Sequence, residues 1–376
     1  MRVSVLGGGP GGLYFAALWK GRHSRDDVRL FEQNPADATW GFGVVFSDRA
    51  LEFLREDDPE TVDLVAPHME AWQDIAIAHR GETIAIDGVG FSAIGRLELL
   101  QLLQQRARAA GVALEFGKTV GSLDELGDAD LIVAADGVNS LVRRSSEREF
   151  ATSYAQLESK FVWYGTTKRF DTLTQTFVAN ELGTFNAHHY RYAPSMSTFI
   201  VECDPATWAR ARLDTASEEE SRRICEQVFA ATLQGHRLVS NRSIWRNFPW
   251  IWNDRWSHRN VVLIGDALRT AHYSIGSGTR LAIEDALALT KALEGEPGDL
   301  PAALARYEAT RRPIVEKLVA ASRLSAAWYE RFPEHMRLSP MELAMSYVRR
   351  SGRVDDERLR LMAPKFMALY DARRGA

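Results

Sequence analysis

Gly7-Gly8-Gly9-Pro10-Gly11-Gly12 is the segment that most restricts what this chain can fold into. It satisfies G-x-G-x-x-G, follows a short apolar strand (residues 2–6) and opens a helix over 13–20. Leu13, Ala16 and Ala17 fall on one face of that helix at i, i+3, i+4 spacing. In such a unit Gly7 permits the tight turn, Gly9 lets backbone approach a diphosphate, and Gly12 allows close helix–strand packing. The anion would sit at the helix N-terminus, where unpaired amides and the dipole favour negative charge. Residues 28–32 read as a second strand ending in Glu32, 20 residues past Gly12, where a carboxylate can bond both ribose hydroxyls. A glycine-rich surface turn is the plainer alternative, but it leaves the strand, the helix and the spaced acid unexplained.

With 376 residues, 45% hydrophobic and 26% charged, the chain has ample material for a core. A net charge of −4 offers no global positive field to nucleic acid or an anionic membrane, and neither is expected as a partner. Cys203 and Cys225 are too few for a disulfide framework, and a reducing compartment fits them. The first apolar run, residues 3–6, is too short for a signal peptide, and no window reaches membrane-span length. A cytoplasmic protein, monomer or homodimer, is expected. The nine histidines show no metal-ligand spacing, so no metal is expected.

Helices are predicted over 48–56 and 95–110, and buried-type strands over 112–116 and 130–135. From 161 to 202 alternating aromatic and polar residues predict antiparallel strands. A helix with a polar face follows over 216–233, then an aromatic-rich strand or loop over 245–252. A parallel-type strand returns at 260–264, with long helices over 281–294 and 301–330 and an arginine-rich helical tail. The order predicts an α/β protein whose domains are discontinuous. A Rossmann-like nucleotide domain would take 1–70, 92–158 and 255–300, an inserted antiparallel β-sheet substrate domain 71–91 and 159–254, and a C-terminal helical segment 301–376.

Two further segments decide the kind of dinucleotide. Residues 131–137 are a strand running into Asp136-Gly137, with Arg143 close behind. Residues 262–266 are a strand ending in Gly265-Asp266, followed by Gly276-Ser277-Gly278 and a helix. A carboxylate at such a strand end can accept from a ribityl or ribose hydroxyl. Amides at the helix start behind Gly278 can stabilise an anionic reduced flavin ring.

The three motifs in this order resemble the single-component FAD-dependent aromatic hydroxylases (group A flavoprotein monooxygenases), over most of the chain to about residue 330. The resemblance implies FAD bound at Gly7, Gly9, Pro10, Gly11, Gly12, Glu32, Gln33, Phe46, Arg96, Val120, Asp136, Gly137, Asp266, Ile275, Gly276, Gly278 and Thr279. Within that set it implies that Asp266 contacts the ribityl chain and Arg96 lines the site. Residues 41–48, 163–166, 197–202 and 272–279 are similar to the salicylyl-CoA 5-hydroxylase and 2-aminobenzoyl-CoA monooxygenase branch. Similar stretches occur in the tryptophan hydroxylase of violacein biosynthesis. Many aromatic hydroxylases carry proline where this chain has His272.

What the resemblance implies chemically is that NAD(P)H, either NADH or NADPH, reduces FAD and O2 adds to form a C4a-hydroperoxide. Its distal oxygen then attacks an electron-rich ring carbon. The leading expectation is 5-hydroxylation of a salicylyl-CoA-like or anthranilyl-CoA-like thioester. A tryptophan- or indole-type intermediate is the alternative substrate, and a flavin reductase or oxidase without hydroxylation the alternative class. His272 is the first candidate for a polar group at the reacting centre. His188 and Tyr190 share one strand face if side chains alternate, with His189 on the other, and they are further candidates. Trp245, Phe248, Trp250 and Trp252 could wall an aromatic pocket, and the tail arginines from Arg349 to Arg374 could hold CoA phosphates; core packing and a solvated helix face are the plainer readings.

Overall fold

The computed structural model describes residues 1–374, excluding the side chains of Asp48 and Arg49. A six-stranded sheet runs in the order Ser257–His258, Val261–Leu263, Leu131–Ala134, Arg2–Leu6, Asp27–Glu32, Ala113–Phe116. Its inner neighbours are all parallel, and only Ser257–His258 is antiparallel. From Arg2–Leu6 the chain moves first to one side and later to the other, so the carboxyl edge opens a crevice at that reversal. The central strands are buried along nearly their whole length and mostly apolar because both faces are covered. Helices Pro10–Arg22, Arg96–Ala110 and Gly278–Gly295 pack on this sheet around a shared core.

A second sheet has eight strands. Leu238–Val239, Thr152–Thr166, Met196–Cys203, Gly183–Ala193, Leu173–Asn180, Ile75–His79 and Glu82–Ile86 follow in order, and Arg246–Asn253 pairs with Thr152–Thr166. It is antiparallel except where Leu173–Asn180 meets Ile75–His79. A small antiparallel sheet of Gly43–Ser47, Phe91–Gly95 and Glu70–Trp72 completes the β-structure.

Two expected elements differ. The helix expected over 216–233 breaks at Phe229, which is fully buried with φ −104°, leaving Glu218–Val228 and a short turn Ala230–Leu233. The antiparallel region begins nine residues earlier than Phe161, at Thr152, because the first part of that strand is solvent-facing and lacks the apolar alternation that marks a half-buried strand.

Leu300–Glu330 is one helix of 31 residues, about 46 Å long. Its first two-thirds pack into the core around the six-stranded sheet through Ala303, Leu304, Tyr307, Val315 and Val319. Its far end, with Trp328 and Tyr329, enters a separate core shared with Ile75, Ile77, Ile84 and the tail helices. No helix among the described residues is long and apolar enough to cross a membrane.

Asp285, fully buried on Gly278–Gly295, binds Arg269 at 2.7 Å, Arg311 at 3.0 Å and the Gly265 amide at 3.0 Å. Removing one partner of a buried ion pair leaves uncompensated charge, at a cost of about 3–5 kcal/mol. Asp285→Ala is therefore expected to lose stability of that order in urea unfolding; a loss near zero would show that the two arginines find water instead.

Candidate active site

Each motif falls at the carboxyl end of a parallel strand: the glycine turn after Leu6, Glu32 after the second strand, Asp136 after Ala134, and Gly265-Asp266 after Leu263. The glycine turn is shaped by sterics. Gly7 has φ +108°, and a Cβ there would lie 2.3 Å from the Ala135 carbonyl; one at Gly12 would lie 2.1 Å from the Gly7 carbonyl. A Cβ at Gly9, by contrast, would meet nothing within 4 Å. The turn is thus tight behind and open in front. Gly9 caps Pro10–Arg22 without any side-chain hydrogen bond, so the first-turn amides of Gly11 and Gly12 have no acceptor within the helix. Glu32 steadies the turn: one oxygen accepts from the Gly8 amide at 2.7 Å, the other from Asn34.

Asp136 caps the following turn, accepting from the amides of Leu141 and Val142, while its second oxygen is buried without a partner. Arg143 donates to the Val138 and Ala267 carbonyls and so ties the Asp-Gly turn to the Gly-Asp turn. Asp266 is exposed at its side chain, yet desolvation by the surrounding protein raises its carboxyl pKa against the pull of Arg269 and Arg96. Accessible and enclosed at once, it lines a deep cleft. Arg96 lies across from it: desolvation lowers its guanidinium pKa, opposed by Asp266 and Glu32, and Nε donates to Thr39. Gly278–Gly295 also starts without a side-chain cap, and Ile275, Gly276, Gly278 and Thr279 are half-exposed at its entrance. Open backbone amides at two helix starts and a carboxylate–guanidinium pair in a cleft fit a dinucleotide with an anionic diphosphate and a polyol chain.

His272 stands beside this entrance. Its amide donates to Ser322 Oγ at 2.7 Å. Nδ1 lies 2.8 Å from Ser274 Oγ and accepts from the Ser274 amide, which can only donate. Nδ1 is therefore the acceptor, and Nε2 carries the ring hydrogen. Ser274 Oγ bonds Ser325 Oγ at 2.7 Å, and Arg350 anchors the line by donating to Ser325 Oγ and the Ser274 carbonyl. Burial, with His188 and Arg350 nearby, lowers the His272 pKa to about 3. The imidazole is neutral and oriented. Its ring lies 4.1 Å from Tyr273 and 4.9 Å from Phe248, and the His188 ring lies 5.6 Å from Tyr273.

The strand alternation holds: His188 and Tyr190 stack on one face, while His189 packs between Phe170 and Phe199 on the other. Tyr190, expected among the reacting groups, is instead committed to structure, because its hydroxyl donates to the Gly43 carbonyl at 2.7 Å. Phe46, expected beside the flavin, turns into the core and a cavity of about 460 Å³ under Gly278–Gly295, away from the glycine turn. The neighbouring Val45 approaches Gly276 instead. Gln33 is exposed and Val120 is packed into the nucleotide-domain core.

The aromatic segment divides: Phe248 faces His272, Trp245 bonds Ser221, and Trp252 lies against Arg312. Of the tail arginines, Arg349, Arg360 and Arg373 are paired with Asp356, Asp371 and Glu82. Tyr273 and Ser325 were not singled out in the sequence, and Arg350 entered only as one of the tail arginines. Tyr273 adjoins a candidate histidine, but nothing local marks the other two.

The FAD binding domain family profile matches residues 125–322. The chain is 41% identical over 361 residues to salicyloyl-CoA 5-hydroxylase of a Streptomyces species, covering 93% of this chain and 70% of that protein. It belongs to the FAD-dependent aromatic hydroxylases and is a flavoprotein monooxygenase. It is also 39% identical over 335 residues to the 3-hydroxy-4-methyl-anthranilyl-(aryl-carrier protein) 5-monooxygenase of Streptosporangium sibiricum, covering 89% of this chain and 90% of the relative. Its fold matches that of the tetrameric form of 2-methyl-3-hydroxypyridine-5-carboxylic acid oxygenase with a TM-score of 0.71 at 21% identity, over 88% of this chain and 92% of the other.

His188, His189 and His272 are each pushed to about 3 by burial. Unfolded, they titrate near 6.5, so below that pH the unfolded state binds more protons and each site costs the fold stability. The slope approaches about 1.4 kcal/mol per pH unit per histidine. His189→Phe removes one such site. Between pH 7.5 and pH 5 the variant's stability relative to wild type is expected to rise by up to about 2 kcal/mol in urea unfolding.

Proposed function

We propose that this flavoprotein monooxygenase hydroxylates an aromatic ring carried as a salicylyl- or anthranilyl-type thioester, at the carbon para to a ring hydroxyl or amino group. The observation that carries the reading is a cluster of neutral rings (Tyr273, Phe248, His188 and His272), partly to fully buried, directly beside the loop that starts Gly278–Gly295. The similarity to relatives named for salicyloyl-CoA and an anthranilyl carrier protein supports the choice of ring and thioester.

FAD, reduced by NAD(P)H, supplies electrons and activated oxygen; the chain's own residues do the rest. Amides at Gly11 and Gly12 would hold the diphosphate, Glu32 the adenosine ribose, Asp266 the ribityl chain, and amides after Gly278 the pyrimidine edge of the ring. Arg96 would neutralise charge across the cleft from Asp266. The His272 Nε2–H is a donor fixed before substrate arrives, so no reorientation is required at the reacting centre. The aromatic walls exclude water, and the substrate's own hydroxyl or amino group raises electron density at its para carbon.

The test is NAD(P)H oxidation by the purified yellow protein with salicylyl-CoA, anthranilyl-CoA and tryptophan, with products weighed. One thioester should accelerate oxidation and gain ~16 mass units, one oxygen atom. A response to tryptophan or indole alone would overturn the thioester assignment. NADH oxidation without oxygen incorporation under any of these would overturn hydroxylation itself. Asp266→Ala is expected to purify with at least about tenfold weaker FAD retention, the equivalent of roughly one charged hydrogen bond. Absorbance at the flavin band against total protein measures it, and full colour in that variant would remove Asp266 from the site.

A further inference from the structure

On the sheet face that carries His188, a layer of buried polar groups lacks hydrogen-bond partners. Strand register sets Asn186 opposite Glu202, and Gln175 opposite His188. Asn186 is 0% exposed, Glu202 2% and Gln175 3%. Both amide atoms of Asn186, Oε2 of Glu202 and Oε1 of Gln175 are unpartnered. The Tyr273 ring covers this layer, lying against His188 and 4.9 Å from Phe161, which is the residue opposite Glu202 on the other side. Its hydroxyl lies near enough to Glu202 to act on the carboxyl, while Oε2 stays without a partner. Buried polar atoms are almost always paired in native proteins, because each orphan costs stability. Four in one layer, beside the chamber proposed to hold the aromatic ring, fit a partner that comes and goes.

The charges nearby select that partner. Glu330 lies close enough to act on Glu202, and its carboxylate accepts from the Glu158 and Ser159 amides. An anion here would face two carboxyl groups. Arg350, the cation nearest His188, is committed to Ser325 and to the carbonyls of Ser274 and Tyr347. What fits is a neutral group that both donates and accepts. We propose that Glu202 and Asn186 recognise the neutral ring hydroxyl or primary amine of the aromatic substrate, a role that rests on the thioester reading above. Burial pushes the Glu202 carboxyl up to about 8, so it too is largely uncharged at neutral pH. Asn186 stands two residues from His188 on the same strand face, so a ring anchored by this substituent would lie within reach of His188 and the Tyr273–Ile275 turn. A free ring carboxylate is disfavoured here, and a thioester carries no such charge.

The test compares binding of salicylyl-CoA with benzoyl-CoA, which lacks the ring hydroxyl, by the change in flavin absorbance of the FAD-loaded enzyme. Wild type should prefer salicylyl-CoA by about tenfold or more. Glu202→Met, which removes the carboxyl but keeps the volume, should bring that preference close to one. A variant that merely loosens the fold weakens both ligands alike and leaves the ratio standing, so an unchanged preference in Glu202→Met overturns the proposal. Equal binding of the two ligands by wild type overturns it as well. If wild type binds neither thioester, the thioester reading fails, and this inference falls with it.

Discussion

The Asp285 carboxylate joins the Gly-Asp turn to the long helix. It accepts from the Gly265 amide, from Arg269 just beyond the Gly-Asp turn, and from Arg311 on the long helix. Arg311 also reaches Glu284, so two guanidinium groups are balanced by two carboxylates in a nearly dry interior. Such a cluster adds little net stability over apolar packing of the same volume. Its consequence is geometric. Gly265 is held at φ +60°, Asp266 is aimed into the cleft, and the long helix is docked so that Ser322 and Ser325 arrive beside His272. Polar walls on the nucleotide side and a neutral chamber on the sheet side both follow from that alignment.

The candidate cofactor cleft is written in local signals. A glycine that must adopt positive φ, or must leave no Cβ against a carbonyl, is written in the sequence at that position. A carboxylate at the end of a parallel strand reaches the same edge as every other such strand end, so finding four strand ends found one crevice. The chamber was less legible. Alternation correctly separated His188 from His189, but it could not say that the Tyr190 hydroxyl meets the Gly43 carbonyl 147 residues away. On Gly43–Ser47 the resemblance offered Phe46 for the cofactor, and nothing in the strand's own pattern says which side chain meets the Gly276 loop. Val45, not Phe46, approaches the Gly276 loop, because the larger ring is drawn into the apolar space under the neighbouring helices.

The arginine-rich tail shows why composition alone misleads. Its guanidinium groups read as a phosphate-binding rim or a solvated face. Several are paired with local carboxylates, and Arg350 turns inward to anchor a line of serines ending at His272. Arg350 stands 78 positions beyond His272, and of the two serines between them Ser274 adjoins the histidine while Ser325 lies in no motif. Only the docking of the long helix brings them together, and packing of that kind leaves no periodic trace.

The chamber and the cleft differ in one physical variable, and that difference organises the site. Where Asp266, Arg96 and Glu32 line the cleft, charges of opposite sign face a space that an anionic, polyhydroxylated cofactor fits. In the ring cluster, desolvation drives four titratable groups toward their neutral forms: His188 and His272 downward, Glu202 and Tyr273 upward. A neutral wall attracts little water and costs less to desolvate when a neutral aromatic ring enters. An imidazole kept neutral can still donate one hydrogen bond, and it does so without the counter-ion that a buried imidazolium would require. Burial depth thus assigns the two halves of the site their chemistry.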